Sequence, residues 1–250
     1  MSWSRDALVD RQITEWKKRK GIASPVKKSL TITGEVGALG NRVGAVVAQQ
    51  FGFQVYDREV IHLIVEQENI AEYLCDDSEA RELRELQVMF EAIASECGIP
   101  KGDYCGRLNQ LLRIIGRQGS SVVLGRGGNI LMGMELAVRV RVIAPRNLRI
   151  QRNAQRYRIS MNEAESLTDQ EDMRRTKWVS QMLQEDTNDP AGYDLVVSTG
   201  LFSVDQAAAM IVMAYRSLGG VRKGMPARML RNRSRFEHGR PELWMQTRTG

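Results

Sequence analysis

Histidine and cysteine are scarce in this 250-residue chain: two histidines, His62 and His238, and three cysteines, Cys75, Cys97 and Cys105. Two histidines cannot build a histidine-rich metal centre. An odd number of cysteines without a Cys-x-x-Cys pair argues against a disulfide framework or a zinc site and points to a reducing compartment. Long apolar runs are missing too, and none approaches the roughly 18 residues that a membrane span needs. The opening MSWSRDALVD has no apolar stretch and no small-residue cleavage site, so it does not read as a secretory signal. These absences together lead us to expect a cytoplasmic protein without a membrane span.

What is present is ordinary for a globular protein, with 42% hydrophobic and 26% charged residues. The length suits one α/β domain with appendages, or two small domains. The charge is unevenly placed. The stretch from Val221 to Gly250 holds eight arginines and lysines against Glu237 and Glu242, which accounts for the whole net charge of +6 and leaves the body neutral. A segment so charged and so poor in periodic apolar residues is expected to be a tail that can meet an anionic partner, nucleic acid included. Met225, Met229, Leu230, Phe236 and Trp244 keep a second reading open, in which the tail packs on the body or on a sister subunit.

Residues 5–20 have a helical pattern, with Val9, Ile13 and Trp16 at helical spacing and KKRK in the last turn, where positive charge suits the helix dipole. SLTITG at 29–34 is β-rich and runs into glycines, after which 41–51 is helical with Val43, Val46 and Val47 inward. FQVY at 53–56 is a second strand. Helical patterns fill 58–118: Leu83, Leu86, Phe90, Ile93 and Cys97 form one stripe, and Leu108, Leu111, Leu112 and Ile115 another. SSVVLG at 120–125, AVRVRVIA at 137–144 and YDLVVST at 193–199 are further strands. Helices are expected over 146–157 and 203–217, with Ser160 and Glu163 as a capping box opening one between them. Strands alternating with helices predict a parallel sheet covered on both faces.

The stretch TGEVGALGNR raises the functional question. Glycines between a strand and a helix let backbone N–H groups turn inward, and the helix start adds positive potential. Gly34, Gly37 and Gly40 fit such an anion cradle. The Walker pattern G-x4-G-K-[ST] is not met, because Asn41-Arg42 stands where Lys-Ser/Thr is required. A tight turn that needs glycine only for packing is the competing reading.

ITGEVGALGNRVGAVVAQQFGFQVYDREVI, VVLGRGGNIL and the long block from VRVIAPRNLRI to DQAAAMI, with RQITEW of the N-terminal helix as a fourth motif in register, resemble the cytidylate kinase-like family of P-loop nucleoside monophosphate kinases. The resemblance covers roughly residues 29–213. It implies a three-layer α/β fold with a five-stranded parallel sheet, a helical insertion and a helical lid over about 146–185. The chain then divides into an N-terminal helix and linker (1–28), the kinase-like domain (29–218) and the basic tail (219–250). It implies phosphoryl transfer from ATP with Mg²⁺ to a nucleoside monophosphate such as CMP or dCMP. The N-terminal helix, which resembles an extension carried by some members, suggests a homodimer through it.

Residue by residue, the resemblance implies a nucleotide cradle of Gly34, Gly37, Ala38, Gly40, Asn41 and Arg42. Gly40 matches the lysine of true cytidylate kinases, and Arg42 matches their magnesium-binding Ser/Thr. The family's GSGGR becomes GALGN here, and Leu39 enters a turn where a side chain can clash or resist a positive φ. Arg126 matches the arginine that holds the acceptor phosphate, against a structural ion pair. Arg149, Arg152 and Arg175 match lid arginines that stabilise charge on the transferred group, with Asp172 expected to orient Arg175. Asp57 matches an acceptor-binding aspartate or is a helix cap. Arg146 is expected to be a solvated surface residue, with Arg158 a further arginine beside the lid. His62 is expected at a helix surface and Trp178 in packing. The catalytically degenerate alternative is a nucleotide-binding regulatory or scaffold protein.

Overall fold

The computed structural model describes residues 5–21, 27–67 and 77–218. The expectations for the basic tail, for Cys75 and for most of the linker at 22–26 lie outside the described residues. Five strands form one parallel sheet in the order β2-β3-β1-β4-β5: β1 Ser29–Gly34, β2 Gln54–Tyr56, β3 Ser121–Leu124, β4 Ala137–Ile143 and β5 Leu195–Ser198. The central strand β1 sets Ile32 against Leu124 of β3 on one side and Val140 of β4 on the other. Strands buried on both faces read as near-continuous apolar runs, which is what the sequence shows at 121–124, while β4 alternates valines with Arg139 and Arg141, which pair with Asp194 and Glu35.

The helices are α1 Arg5–Lys20, α2 Gly40–Phe51, α3 Arg58–Glu66, α4 Asp77–Glu96, α5 Tyr104–Gln118, the one-turn α6 Gly128–Leu131 and α7 Gly133–Leu136, then α8 Arg146–Tyr157, α9 Met161–Met182 and α10 Val204–Leu218. Helices α2 and α10 pack together over one face of the sheet, around Leu30, Ile32, Val43, Val47, Val140 and Ile211. On the other face α6 comes close, with Gly128 against Val123 and Thr31. The expected capping box is formed: Ser160 Oγ accepts from the Glu163 N–H at 3.3 Å, and the Glu163 carboxylate accepts from the Ser160 N–H at 2.8 Å. None of the described helices is long and apolar enough to cross a membrane.

The insertion 58–118 has its own small core, made by the two stripes the sequence shows. Leu83, Leu86, Phe90, Ile93, Leu108, Leu111, Leu112 and Ile115 are buried, and Cys97 is half-buried just past its helix. Arg107 is 2% exposed, yet its Nε donates to the Val65 carbonyl at 2.8 Å, it pairs with Glu91, and its guanidinium lies 4.8 Å over the Phe90 ring. A buried charge is tolerated because every side of it is met. Helix α1 docks on α4 and α5 through buried Leu8, Val9 and Ile13, with ion pairs Arg11–Glu96 and Lys20–Glu85 at the rim. The apolar residues of this helix are thus covered within the chain.

One close approach sets the distance of α2 from the sheet. A Cβ on Gly44 would lie 2.6 Å from Leu124 Cδ2 and 3.4 Å from Ile32 Cδ1. Gly44→Val is expected to cost about 1–3 kcal/mol through overpacking, a fall in melting temperature of about 2–12 °C for a domain of this size. Ala45→Val, one residue on at an exposed position, is the control and should be near neutral.

Candidate active site

The glycine-rich turn joins the carboxyl end of β1 to the start of α2. Its ends nearly touch, since a Cβ on Gly34 would lie 3.3 Å from the Gly40 Cα. Gly37 takes φ 82°, and a Cβ there would meet the Arg149 backbone oxygen at 2.7 Å. The Ala38 N–H donates to the Glu35 carbonyl at 3.0 Å and closes the turn. Leu39 is left-handed, at φ 62° and ψ 22°, with no side-chain cap. The turn does demand a positive φ where the sequence places a leucine, at a cost of roughly 1–2 kcal/mol for a residue with a Cβ.

Beyond Leu39 the helix opens without an acidic residue or a capping side chain. Among the described residues no acceptor meets the N–H groups of Leu39, Gly40, Asn41 and Arg42. Four orphan donors with the positive end of the helix dipole behind them make an anion-receptive surface.

Three arginines fasten this loop. Arg149 is 8% exposed; its Nη1 donates to the Val36 carbonyl at 3.1 Å and to Asp172 at 2.6 Å, and its Nε donates to the Ala144 carbonyl at 3.2 Å beside Glu35 at 3.3 Å. Arg152 Nη1 reaches the Gly37 carbonyl at 3.2 Å and Thr199 Oγ1 at 3.0 Å. Arg175 Nη1 donates to the Gly34 carbonyl at 2.8 Å. With its carbonyls taken from the lid side, the loop is held with the amides of 39–42 unengaged.

Asp172 does not orient Arg175 as expected. Its carboxylate lies between the Val36 N–H, at 3.2 Å, and Arg149. The buried guanidinium of Arg149 is the stronger claimant because water does not screen it. Arg146 is exposed and bridges Glu165 at 2.8 Å and Asp169 at 2.6 Å, acids supplied by the next helix. Arg158 ends α8 in a left-handed conformation at φ 55°.

A second anion-receptive group stands at the end of β3, the strand next to β1. Gly125, Arg126 and Gly127 are consecutively left-handed, at φ 72°, 52° and 66°. An arginine held there is strained, and strain of this kind collects at functional sites. Gly127 cannot bear a Cβ because Leu183 fills the space, with half-buried Trp178 alongside. Arg126 Nε is buried without a hydrogen-bond partner, and so is the Tyr104 hydroxyl, whose ring lies 5.8 Å from the guanidinium. Burial lowers the Arg126 pKa, and Arg58 and Arg174 push the same way against Tyr104 and Glu59. The cluster is therefore cationic and short of acceptors.

Arg58, Arg174 and Tyr104 escaped the sequence reading. Arg58 follows Asp57 and Arg174 precedes Arg175, so adjacency to a named residue was the available signal. Tyr104 carried none. Asp57 caps α3, accepting the Val60 N–H at 2.9 Å through Oδ1. His62 is exposed, with its ring 6.1 Å from that of Tyr104.

The residues present do not fit a protein-held magnesium ion. The position implied for a hydroxyl ligand is Arg42, and among the described residues no group of three or more acidic, histidine or cysteine side chains converges. Glu35 is paired with Arg141 and Arg149, and Asp172 with Arg149.

The strand order, the glycine-rich turn after the central strand and the helical lid beside it define a P-loop kinase fold. The cytidylate kinase-like family profile matches residues 29–201, well over half of the chain. The chain belongs to the cytidylate kinase-like family. Among solved structures, an uncharacterized protein from Eubacterium ventriosum ATCC 27560 aligns at 16% identity over 76% of this chain and 99% of its own, with a TM-score of 0.56. Shikimate kinase from Acinetobacter baumannii, solved in complex with shikimate, aligns at 15% identity over 76% and 93%, with a TM-score of 0.43. Shikimate kinase from Bacteroides thetaiotaomicron aligns at 11% over 76% and 99%, with a TM-score of 0.44. The likeness to the Eubacterium ventriosum protein is one of fold. No curated protein sequence matches the chain.

The two central arginines should behave differently in a melting experiment. Arg149→Ala removes donors to two carbonyls and leaves Glu35 and Asp172 uncompensated, so a loss of about 2–4 kcal/mol is expected. Arg126→Ala removes a cation that has no hydrogen-bond or carboxylate partner among the described residues and touches only the Tyr104 ring, so it should change the melting temperature little. Equal losses in both variants would show that Arg126 is a structural residue.

Proposed function

We propose that this chain is a nucleotide kinase: it binds ATP at the loop 34–42 and transfers the terminal phosphoryl group to a nucleoside monophosphate, CMP or dCMP first. The observation that carries the reading is the pairing of two anion-receptive groups on adjacent strands. The loop amides follow β1 and Arg126 follows β3, and the Gly125 N–H bonded to the Ile32 carbonyl at 3.0 Å ties the two strand ends together. Ligands of open α/β sheets bind at such carboxyl ends. Two phosphate sites side by side are what phosphoryl transfer between nucleotides requires.

In this reading the amides of Leu39, Gly40, Asn41 and Arg42 receive the donor phosphates, and Arg126, with Arg58 and Arg174 nearby, receives the acceptor phosphate. An acceptor phosphate oxygen forms a bond to the γ-phosphorus, the bond from that phosphorus to the β-bridging oxygen breaks, and ADP leaves with the electron pair. Such transfer asks little of the protein beyond positioning and charge stabilisation. Arg175 is suited to the transferring group because among the described residues it makes one hydrogen bond, to the Gly34 carbonyl at the loop's own edge, while burial of its guanidinium lowers its pKa. Asp57 retains an oxygen that does not cap α3 and can meet a ribose hydroxyl or base amino group.

A second reading, nucleotide binding without turnover, is favoured by Gly40. Where the resemblance calls for a lysine, the loop has no side chain at all.

ADP release from ATP plus CMP tests the first reading. Arg126→Ala and Arg175→Ala are each expected to lower the rate by about 10²–10³ without loss of fold. Wild-type rates in both would assign the activity elsewhere. ATP binding by calorimetry with no ADP release for any nucleoside monophosphate would leave the second reading standing.

A further inference from the structure

We infer that Tyr104 is a phosphate-binding residue of the acceptor site, its hydroxyl and Arg126 Nε together receiving the phosphate group of a phosphate monoester. The inference rests on the kinase reading above and adds to it a side chain from the insertion. Two guanidinium groups lie over aromatic rings of that insertion, and they differ in one respect. Arg107, 4.8 Å from the Phe90 ring, is met by the Val65 carbonyl at 2.8 Å and by the Glu91 carboxylate. This is how a structural arginine is satisfied in this molecule. Arg126, 5.8 Å from the Tyr104 ring, has no acceptor among the described residues, and its buried Nε bonds nothing. The Tyr104 hydroxyl is also buried and also bonds nothing.

Buried polar atoms are nearly always partnered. Two orphans in one contact pair are therefore unusual, and their chemistry says what is missing. Nε can only donate, and a phenol donates at neutral pH. They do not satisfy each other in this arrangement. The common partner is an acceptor, and a guanidinium favours an anionic one with several oxygens, such as phosphate. Both residues are half-buried, so a phosphate comes to the pair from its exposed side and the two side chains turn to meet it.

The backbone under each residue is fixed. The Gly125 N–H bonds to the Ile32 carbonyl and the Gly128 N–H to the Gly125 carbonyl, both at 3.0 Å, and Arg126 between them is held at φ 52°. Tyr104 opens α5, where Asp103 Oδ1 accepts the Gly106 N–H at 2.9 Å. A Cβ on Gly106 would collide with Asp103 Oδ2, so that cap needs a glycine at 106. Backbone strain and unmet donors both cost free energy of folding, and where they coincide they mark a site built for a ligand rather than for stability.

Calorimetry on the full chain with CMP tests this, with inorganic phosphate as a competitor. Tyr104→Phe keeps the ring and its contact with Arg126 and removes the hydroxyl alone. It is expected to weaken CMP binding about tenfold, the loss typical of a hydrogen bond to a charged group, and to weaken inorganic phosphate by a similar factor. Its melting temperature should match that of the wild type, because the hydroxyl has no partner in the free protein. Unchanged CMP affinity would overturn the inference, and a lower melting temperature beside it would show the hydroxyl to be structural. A loss for CMP with none for phosphate would also overturn it, by moving the hydroxyl's contact to the nucleoside. In each of these cases an Arg126→Ala variant that still loses CMP binding leaves the kinase reading intact. A wild-type chain that binds no nucleoside monophosphate would overturn the two together.

Discussion

The guanidinium of Arg149 sits where three parts of the molecule meet. It bonds the loop at the Val36 carbonyl, the end of β4 at the Ala144 carbonyl and the lid helix at Asp172, and its own backbone closes on Gly37. A buried cation in such a place costs several kcal/mol unless its donors are met and its charge is balanced. Glu35 and Asp172 supply the balance, and each also accepts a backbone N–H, from Ala144 at 3.3 Å and from Val36 at 3.2 Å. The loop, the strand end and the lid are thus one electrostatic unit. None of them can shift without exposing an unpaired charge in the others. The glycine at 37 follows from this: the backbone of α8 comes so close that no other residue fits.

Arginines that look alike in the sequence differ in how many of their donors are used. Arg146 finds its partners in water-exposed acids, where an ion pair contributes little. Arg149 is saturated from within. Arg152 and Arg175 hold loop carbonyls. Arg126 stands on a strained turn with a buried Nε that bonds nothing. A site that must receive an anion needs donors left over, and building a rigid cradle needs donors used up. The molecule meets both requirements by assigning them to different arginines.

Much of this was legible in the chain itself. Alternating short apolar runs and helical stripes placed the strands and the two insertion helices, because those patterns record burial directly. The capping box at Ser160 and the glycine turn at 34–40 were readable because caps and positive-φ turns use a small set of residues. The roles of the arginines were not readable in this way. Spacing of three and four put Arg146, Arg149, Arg152 and Arg156 on related faces, but burial of Arg149 depends on Gly37, more than a hundred positions earlier. Asp172 stood three residues from Arg175 on one helix, a spacing that favours a pair, yet the unscreened Arg149 from another element took it. Tyr104, Arg58 and Arg174 converge on Arg126 from three separate helices, and no local pattern announces a convergence. The apolar face of α1 was visible, but whether a sister chain or α4 and α5 would cover it was not.

The missing lysine has a consequence for motion. A lysine in such a loop is a flexible point charge whose head can follow negative charge as it moves from donor to acceptor. The guanidinium groups of Arg149 and Arg152 are fixed by loop carbonyls and by Thr199, so they hold charge at one place and cannot travel with it. Arg175 is the lid arginine least tied down, because among the described residues the Gly34 carbonyl is its one hydrogen-bond partner. In the proposed kinase reading, stabilisation of the transferring group then falls to the lid helix rather than to the loop. Asp172 and Arg175 both lie on α9 and hold the same few residues of the turn, at Val36 and at Gly34. In the proposed kinase reading the loop is then a rigid cradle, and the lid helix carries the arginine that is least tied down.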